Sequence, residues 1–297
     1  MKLRTSHVTN QCLVKLKVLQ ILLVIIFLSI TESILKSANN SFCEVYEIWP
    51  LLEQFCQERL TSTDSFTVPP TAVHEVGMHI SHLKNKKLMG PDNFSSYLLK
   101  PALPCVVESL TYVYNFCIQQ NSFPPALKAA KVILLFKPKD LSDPNNFRPT
   151  SFLSILTKPF ERHIHKHLTQ DCNFFHPFQC GFRQRHSCQQ PWWRVFDTRL
   201  AAINLAQLTG AVFLDLTKAF DLNYMVLLQK LAMYLQNLST VSVLKSILQD
   251  RRTQSVFLNG NYSTEGVVKC GVPQGFVLGP LLFDVFINDL MRWFCGW

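Results

Sequence analysis

One acidic residue interrupts a strand-like apolar segment. Residues 209–216 read TGAVFLDL, a short run typical of a strand covered on both faces, and Asp215 is its single charge. A buried carboxylate loses its hydration, which is costly unless a cation or an ion pair compensates the loss. Asp215 is therefore a candidate metal ligand. A salt bridge, or a strand that simply ends at Asp215, is the structural alternative.

Three further polar residues lie in segments whose backbone has little freedom. Residues 271–280 hold three glycines and two prolines around Gln274, which indicates either close approach to a ligand or an ordinary loop. The segment PNNFRP at 144–149 predicts a turn that fixes Arg148, and a fixed guanidinium suits a phosphate group. Arg183 follows a second predicted turn, FQCGFR. Gln274 and Arg148 are therefore candidate ligand contacts.

Amphipathic and apolar patterns predict the helices around these residues. Apolar side chains repeat at helical spacing in residues 73–83, and residues 103–117 have the density of a buried helix. A third helix is predicted over 151–168, and the histidines at its basic end are interpreted as solvated. A fourth helix begins near Asp221, whose expected role is the N-cap.

Strand patterns alternate with these helices. An apolar run between Lys128 and Lys139 predicts a strand surrounded by lysines, and therefore a basic surface. Asn259 and Gly260 separate two strand-like runs, which is a hairpin signal. This hairpin leads directly into the loop that holds Gln274.

Composition sets the class of protein. The chain has 297 residues, of which 48% are hydrophobic and 16% charged, a balance that argues against disorder and requires a sizeable core. The net charge of +9 favours a polyanionic partner, either nucleic acid or an anionic membrane surface. Ten cysteines without a C-x-x-C pair argue against a zinc ribbon or a compact disulfide scaffold.

The first 66 residues differ in character from the rest of the chain. A basic stretch precedes the apolar segment 18–30, which spans about 20 Å as a helix, less than the roughly 30 Å of a bilayer core. A secretory signal or signal anchor is the favoured interpretation, and a buried core helix is the alternative. The prolines at Pro69 and Pro70 place a boundary near residue 67, which gives a leader at 1–66 and a domain at 67–297.

Five segments carry a resemblance to a known family. Taken in order, KAAKVILLFKPKD, DPNNFRPTSFLSILTKPFER, FQCGFR, AVFLDLTKAFD and GVPQGFVLGPLLFDVFINDL resemble the reverse transcriptase of non-LTR (LINE-type) retrotransposons. The resemblance spans about residues 71–290. It implies a mixed α/β (α+β) fold with the fingers and a partial palm of a right-hand polymerase, without a thumb. It also implies three partners: an RNA template, a DNA primer and deoxynucleotide triphosphates.

The same resemblance assigns the cation and triphosphate contacts. Asp215 would bind catalytic Mg²⁺ together with the backbone carbonyl of Leu216. Lys137, Lys139 and Arg148 would lie in the fingers and contact the triphosphate of the incoming nucleotide. Phosphoryl transfer uses cations in these two places because negative charge develops on the transferred group and on the leaving pyrophosphate.

Four other residues would form the nucleotide and template pocket by this resemblance. Phe220 would act as an aromatic gate against a ribose 2′-hydroxyl, and Arg183 would shape the neighbouring template surface. Gln274 and Gly275 would line the pocket itself.

Several features depart from the pattern of that family. The family supplies further carboxylates from an Ala-Asp-Asp hairpin, whereas this sequence contains no Asp-Asp dipeptide. Phe276 stands where the family usually has a small hydroxyl residue, and it is expected to crowd the pocket. The expectation is a reverse-transcriptase domain that is truncated before the Ala-Asp-Asp motif and inactive as this fragment.

Two alternatives belong to other functional classes. A non-catalytic RNA- or DNA-binding remnant would use the basic residues of the fingers, including Lys128 and Lys131. A membrane or secretory protein made from captured element sequence would contact the membrane through segment 18–30. Localisation is intracellular by ancestry, and membrane or secretory if this segment acts as a signal or an anchor.

Overall fold

The computed structural model describes most of the chain beyond residue 64, in the ranges 65–136, 147–170, 175–207, 209, 216, 219–249, 252–258 and 260–290. The described residues belong to two compact units. One unit contains residues 187–216, and the other contains residues 65–186 together with 219–290. The apolar segment 18–30 and most of the predicted leader lie outside the described residues, so the boundary near residue 67 stays a prediction.

Among the described residues, three helices precede the sheet, namely α1 (Val73–Ser81), α2 (Ser96–Leu99) and α3 (Leu103–Gln119). α1 buries Val76 and Ile80, as its helical spacing predicts. α2 is capped by Ser95, whose side chain accepts a hydrogen bond from the amide of Leu98. The helices predicted over 73–83 and 103–117 are therefore confirmed. A 3₁₀ turn, Pro125–Leu127, leads from them into the sheet.

The sheet has five strands among the described residues, namely β1 (Ala130–Phe136), β2 (Phe147–Leu153), β3 (Thr253–Leu258), β4 (Asn261–Tyr262) and β5 (Gly266–Val267). Their order is β2-β1-β3-β4, and β5 pairs with β3. β1 is antiparallel to β2 and parallel to β3. The β3–β4 pair confirms the predicted hairpin, since Leu258 lies opposite Asn261 and Gly260 has φ +85°.

Two predictions about the segment after residue 144 are wrong. Arg148 lies in β2 opposite Leu135 rather than in a turn. The helix predicted from Ser151 begins only at Thr157, because Ser151 still pairs with Val132 in the sheet. A proline restricts the residue before it to extended backbone. The residue before Pro149 therefore favours a strand, which explains why β2 runs through a segment rich in turn-forming residues.

Five more helices complete the described fold, namely α4 (Thr157–Gln170), α5 (Gln189–Asn204), α6 (Tyr224–Leu235), α7 (Leu238–Leu248) and α8 (Gly279–Ile287). All except α5 belong to the larger unit. Its core contains the fully buried ring of Phe160, which lies 5.3 Å from the ring of Phe123 and 5.4 Å from that of Tyr114, measured between centroids. Tyr114 donates a hydrogen bond of 2.6 Å to the carbonyl of Leu156 and so fixes α3 to the start of α4.

Charged residues around α4 and β1 are less solvated than the sequence suggests. His163 is only 1% exposed because α4 packs against α1, so the interpretation of the histidines as a solvated helix end is wrong for His163. Lys128 is also buried, and its ammonium donates to Ser246 Oγ over 3.4 Å. Lys131 lies with Nζ 3.7 Å from the centroid of the Phe257 ring. The predicted basic surface of β1 is therefore wrong for Lys128.

The sequence predicts Asp221 as the N-cap of α6. In the structure the N-cap is Asn223. The side-chain oxygen of Asn223 accepts hydrogen bonds from the amides of Met225 (2.9 Å) and Val226 (3.4 Å), whereas Asp221 is exposed. We expect Asn223→Ala to lower the free energy of unfolding by about 1 kcal/mol and Asp221→Ala to change it by less than about 0.5 kcal/mol. Urea denaturation of both variants measures the difference. Equal effects would contradict this assignment of the cap.

None of the described helices combines the length and apolar character that a membrane crossing requires.

Candidate active site

A loop formed by residues 271–276 pairs with the segment that begins at Phe220. The amide of Val272 donates to the carbonyl of Phe220 over 2.8 Å, and the amide of Gly271 donates to the carbonyl of Leu222 over 2.9 Å. Gly271 has φ +82°, and a Cβ there would lie 3.1 Å from the carbonyl oxygen of Phe220. A side chain at this position would be strained by that contact and by the positive φ, which glycine adopts without strain. The pairing fixes the position of Phe220 relative to the loop.

The other side of the same loop is attached to β2. The amide of Ser151 donates to the carbonyl of Gln274 over 3.0 Å. Gly275 has φ +111°, and a Cβ there would lie 2.9 Å from the carbonyl oxygen of Ser151. Gln274 is exposed, and so is Arg148, which lies three residues before Ser151, about 10 Å along the strand. The loop therefore joins the sheet to the segment that holds Phe220.

Three aromatic rings form a cluster beside this loop. The Phe220 ring lies 5.4 Å from that of Phe283 on α8 and 6.3 Å from that of Phe182, and the Phe182 and Phe283 rings are 6.4 Å apart. Phe182 has φ +51° and is 62% exposed. A left-handed backbone is rare for a bulky residue, and strain of this kind concentrates at functional sites. The cluster presents an aromatic surface to solvent.

Arg183 holds the turn that carries Phe182. Its Nη1 donates to the carbonyls of Gln179 (3.0 Å) and His176 (3.3 Å), and its guanidinium lies 5.2 Å from the centroid of the Phe175 ring. Arg183 is only partly exposed, so these contacts stabilise the turn on the side that faces the protein. Arg183 therefore holds the turn that positions Phe182, and its role toward a template stays a prediction.

A buried carboxyl group supports the same turn from α8. Asp284 is 1% exposed, and its Oδ1 accepts a hydrogen bond of 2.8 Å from Nε2 of Gln179. Its Oδ2 has no hydrogen-bond partner. Burial raises the pKa of Asp284 to about 7, although the Gln179 hydrogen bond and the Arg183 charge act in the opposite direction. A protonated Asp284 is therefore compatible with this apolar environment at neutral pH.

The end of the loop is anchored in the core. Oε2 of Glu161 accepts a hydrogen bond of 2.6 Å from the amide of Val277, and burial raises the pKa of Glu161 to about 6. Phe276 is 5% exposed and lies under the guanidinium of Arg252, 5.1 Å from its ring centroid. The expectation that Phe276 crowds the pocket is therefore wrong, because its side chain points into the core.

Comparison with known proteins identifies the family. The family model described as reverse transcriptase (RNA-dependent DNA polymerase) matches residues 136–296, which is more than half of the chain. The chain belongs to this reverse transcriptase family. The match confirms the resemblance found in the sequence motifs.

Curated relatives place this reverse transcriptase among those of non-LTR (LINE-type) elements. It is 36% identical over 248 residues to the probable RNA-directed DNA polymerase from transposon BS of Drosophila melanogaster, an alignment that covers 80% of this chain and 27% of that protein. It is 32% identical over 225 residues to the RNA-directed DNA polymerase from mobile element jockey of Drosophila funebris, covering 74% of this chain and 24% of that protein. The chain spans about a quarter of the length of these relatives.

The structure brings together most of the described residues that were predicted for the reverse transcriptase site. The loop that holds Gln274 and Gly275 is hydrogen-bonded to Phe220 through Val272 and to β2, the strand of Arg148, through Gln274. Arg183 directly follows Phe182, whose ring lies 6.3 Å from that of Phe220. The roles of these residues toward a nucleotide stay predictions.

The other predicted residues of the reverse transcriptase site are not among the described residues of the larger unit. Lys137, Lys139 and Asp215 lie outside the described residues. Leu216 is partly exposed and belongs to the other unit.

Sequence reasoning missed Phe182, Phe283 and Asp284. Nothing in FQCGFR predicts a left-handed backbone at Phe182, because Gly181 is the residue of this motif that would be expected to adopt one. Asp284 could have been found, because it is the single charge in the apolar run LLFDVFI and so meets the argument that singled out Asp215.

Reverse transcriptases use divalent metal ions. Beside Phe220 the described residues offer no group of three His, Cys, Asp or Glu ligands. The only two ligands predicted for the ion are the carboxylate of Asp215 and a backbone oxygen of Leu216, which are hard donors of the kind that Mg²⁺ or Mn²⁺ prefers.

Proposed function

We propose that this reverse-transcriptase domain holds an RNA template, a DNA primer and an incoming deoxynucleotide on the surface formed by the Phe182–Phe220–Phe283 cluster and the loop 271–276. The observation that carries the proposal is the direct connection between the two, since Phe220 contacts both aromatic rings and accepts a hydrogen bond from Val272. An exposed aromatic surface suits stacking against a base or a sugar. An exposed arginine on the adjoining strand suits a phosphate.

Each side chain has one role in this proposal. Phe220 excludes the 2′-hydroxyl of a ribonucleotide, and the exposed Gln274 and Gly275 line the nucleotide and template pocket. Arg148 contacts the triphosphate together with Lys137 and Lys139, while Arg183 holds the turn of Phe182. In the proposed architecture, β1 and β2 belong to the fingers of a right-hand polymerase, and the segments around Phe220 and Gln274 belong to its palm.

Mg²⁺ is the cation that we propose for the polymerase reaction. Asp215 and the carbonyl of Leu216 would hold it, and when bound it stabilises the negative charge that develops during phosphoryl transfer.

Discrimination between sugars tests the role of Phe220. A complementary deoxynucleotide is expected to stabilise the complex of the chain with an RNA–DNA template–primer more than the matching ribonucleotide does. In Phe220→Ala this preference is expected to fall about tenfold, because the ring that excludes the 2′-hydroxyl is gone. Fluorescence anisotropy with a labelled primer measures both complexes.

The control is Phe94→Ala, which removes an exposed ring outside the loop and the aromatic cluster and is expected to leave the preference unchanged. A preference that is absent in the wild type, or equal in Phe220→Ala and the wild type, would overturn the proposal. Failure of the chain to bind the template–primer at all would also do so.

Primer extension separates binding from synthesis. The sequence-based expectation of inactivity stays a prediction, and it rests on the lack of an Asp-Asp dipeptide in these 297 residues. Synthesis on an RNA template that disappears in Asp215→Ala would contradict inactivity and support the assignment of Asp215. Binding without synthesis would agree with it.

A further inference from the structure

A second group of potential metal ligands lies between α1 and α4. Glu75 comes from α1, and His163 and His167 lie one turn apart on α4. One ligand atom from each of the three side chains lies within 4.8 Å of the others. Histidines at positions i and i+4 share one face of a helix, which is a frequent arrangement for binding one metal ion.

The hydrogen bond of His163 determines which ring nitrogen is available. Its Nε2 lies 2.8 Å from the carbonyl oxygen of Pro69. A carbonyl only accepts, so Nε2 must carry a proton, and the neutral ring then has a lone pair on Nδ1. Nδ1 is fully buried without a hydrogen-bond partner, and Oε2 of Glu75 lies 3.6 Å from it. Two electron-pair donors therefore face each other, which is unfavourable unless a proton or a cation lies between them.

We propose that Glu75, His163 and His167 form a binding site for a divalent transition-metal ion such as Zn²⁺, distinct from the polymerase cation. A carboxylate with two imidazoles is a common zinc ligand set. Tetrahedral ligands about 2.1 Å from zinc are about 3.4 Å apart, close to the separation of Nδ1 and Oε2. The Pro69 carbonyl orients the His163 ring, as backbone carbonyls do for zinc-binding histidines.

Lys166 competes with a metal ion for Glu75. Its Nζ lies 2.5 Å from Oε1 of Glu75, while Oε2 faces His163. One carboxylate oxygen is therefore engaged by an ammonium group, and the other is directed at the proposed site. The positive charge of Lys166 opposes a divalent cation, so the site is expected to bind zinc more weakly than a dedicated structural site.

Bound zinc would link α1 to α4. Because an ion held only by the folded state stabilises that state by mass action, zinc is expected to raise the melting temperature. Titration of the 297-residue chain with Zn²⁺ measures the affinity, and Co²⁺ reports nitrogen and oxygen ligation by its visible absorption.

Variants distinguish this site from the ten cysteines and the other histidines. His167→Gln is expected to weaken Zn²⁺ binding at least tenfold, because it removes one ligand of three. The matched control is His165→Gln, on the same helix but outside the group, and it is expected to bind Zn²⁺ as the wild type does. Lys166→Met is expected to bind Zn²⁺ more tightly, because the competing ammonium is removed.

Three results would overturn the proposal. The first is equal Zn²⁺ affinity in His167→Gln and the wild type. The second is an equal loss of affinity in His167→Gln and His165→Gln. The third is Zn²⁺ binding in Lys166→Met that is no tighter than in the wild type.

Discussion

Gly275→Ala is expected to lower the free energy of unfolding by about 2–3 kcal/mol and to weaken template–primer binding at least tenfold. The added methyl group would lie 2.9 Å from the carbonyl oxygen of Ser151, and the backbone has φ +111°. Because the contact is with backbone, the loop or β2 must move, which stretches the hydrogen bond between Ser151 and Gln274. Urea denaturation and fluorescence anisotropy measure the two effects.

Gly260→Ala separates the clash from the backbone strain. Gly260 also has a positive φ, +85°, but a Cβ there would meet no atom within 4 Å. We expect this variant to cost about 1 kcal/mol, which is the penalty of a left-handed backbone alone, and to bind template–primer as the wild type does. Equal losses of binding in the two variants would show that the contact between Gly275 and β2 does not organise the site.

Asp284→Asn is expected to be more stable than the wild type at pH 8. The difference in free energy of unfolding between the variant and the wild type is expected to be about 2 kcal/mol larger at pH 8 than at pH 5, in favour of the variant. The folded state raises the pKa of Asp284 from 3.8 to about 7. Between these values the folded protein keeps a proton that the unfolded chain has released, so the wild type loses stability as the pH rises through this window. An asparagine keeps an acceptor for Gln179 and has no charge to bury.

Unfolding free energies of both proteins at pH 5, 6, 7 and 8 measure this effect. Glu161 contributes in the same direction through its pKa of about 6, so Asp284→Asn is expected to retain part of the slope. A difference between variant and wild type that stays constant across these pH values would show that Asp284 is ionised throughout.

Several elements of the fold could be predicted because their signals are local. The spacing of Val76 and Ile80 predicted α1, and Asn259–Gly260 predicted the β3–β4 hairpin. The motifs that indicated the family also selected Phe220 and Gln274, which the structure connects through one loop.

The errors arose where long-range packing decides the outcome. His163 is buried because α1 covers α4, and Lys128 is buried because Ser246 on α7 meets it, and neither contact is visible in the local sequence. Phe276 was expected in the pocket because the family motif gives its position but not the direction of its side chain, which is buried. The positive φ of Phe182 likewise occurs in a turn whose carbonyl at Gln179 binds Arg183, a contact that the local sequence does not show.

The parallel pairing of β1 with β3 has a consequence for biosynthesis. Val132 lies beside Val256, so translation must add more than a hundred residues before the central strand gains its second neighbour. During that interval the nascent β1–β2 hairpin exposes an unpaired edge, which is a template for association with other chains. Such late closure predicts slow folding and a need for chaperones that shield this edge on the ribosome.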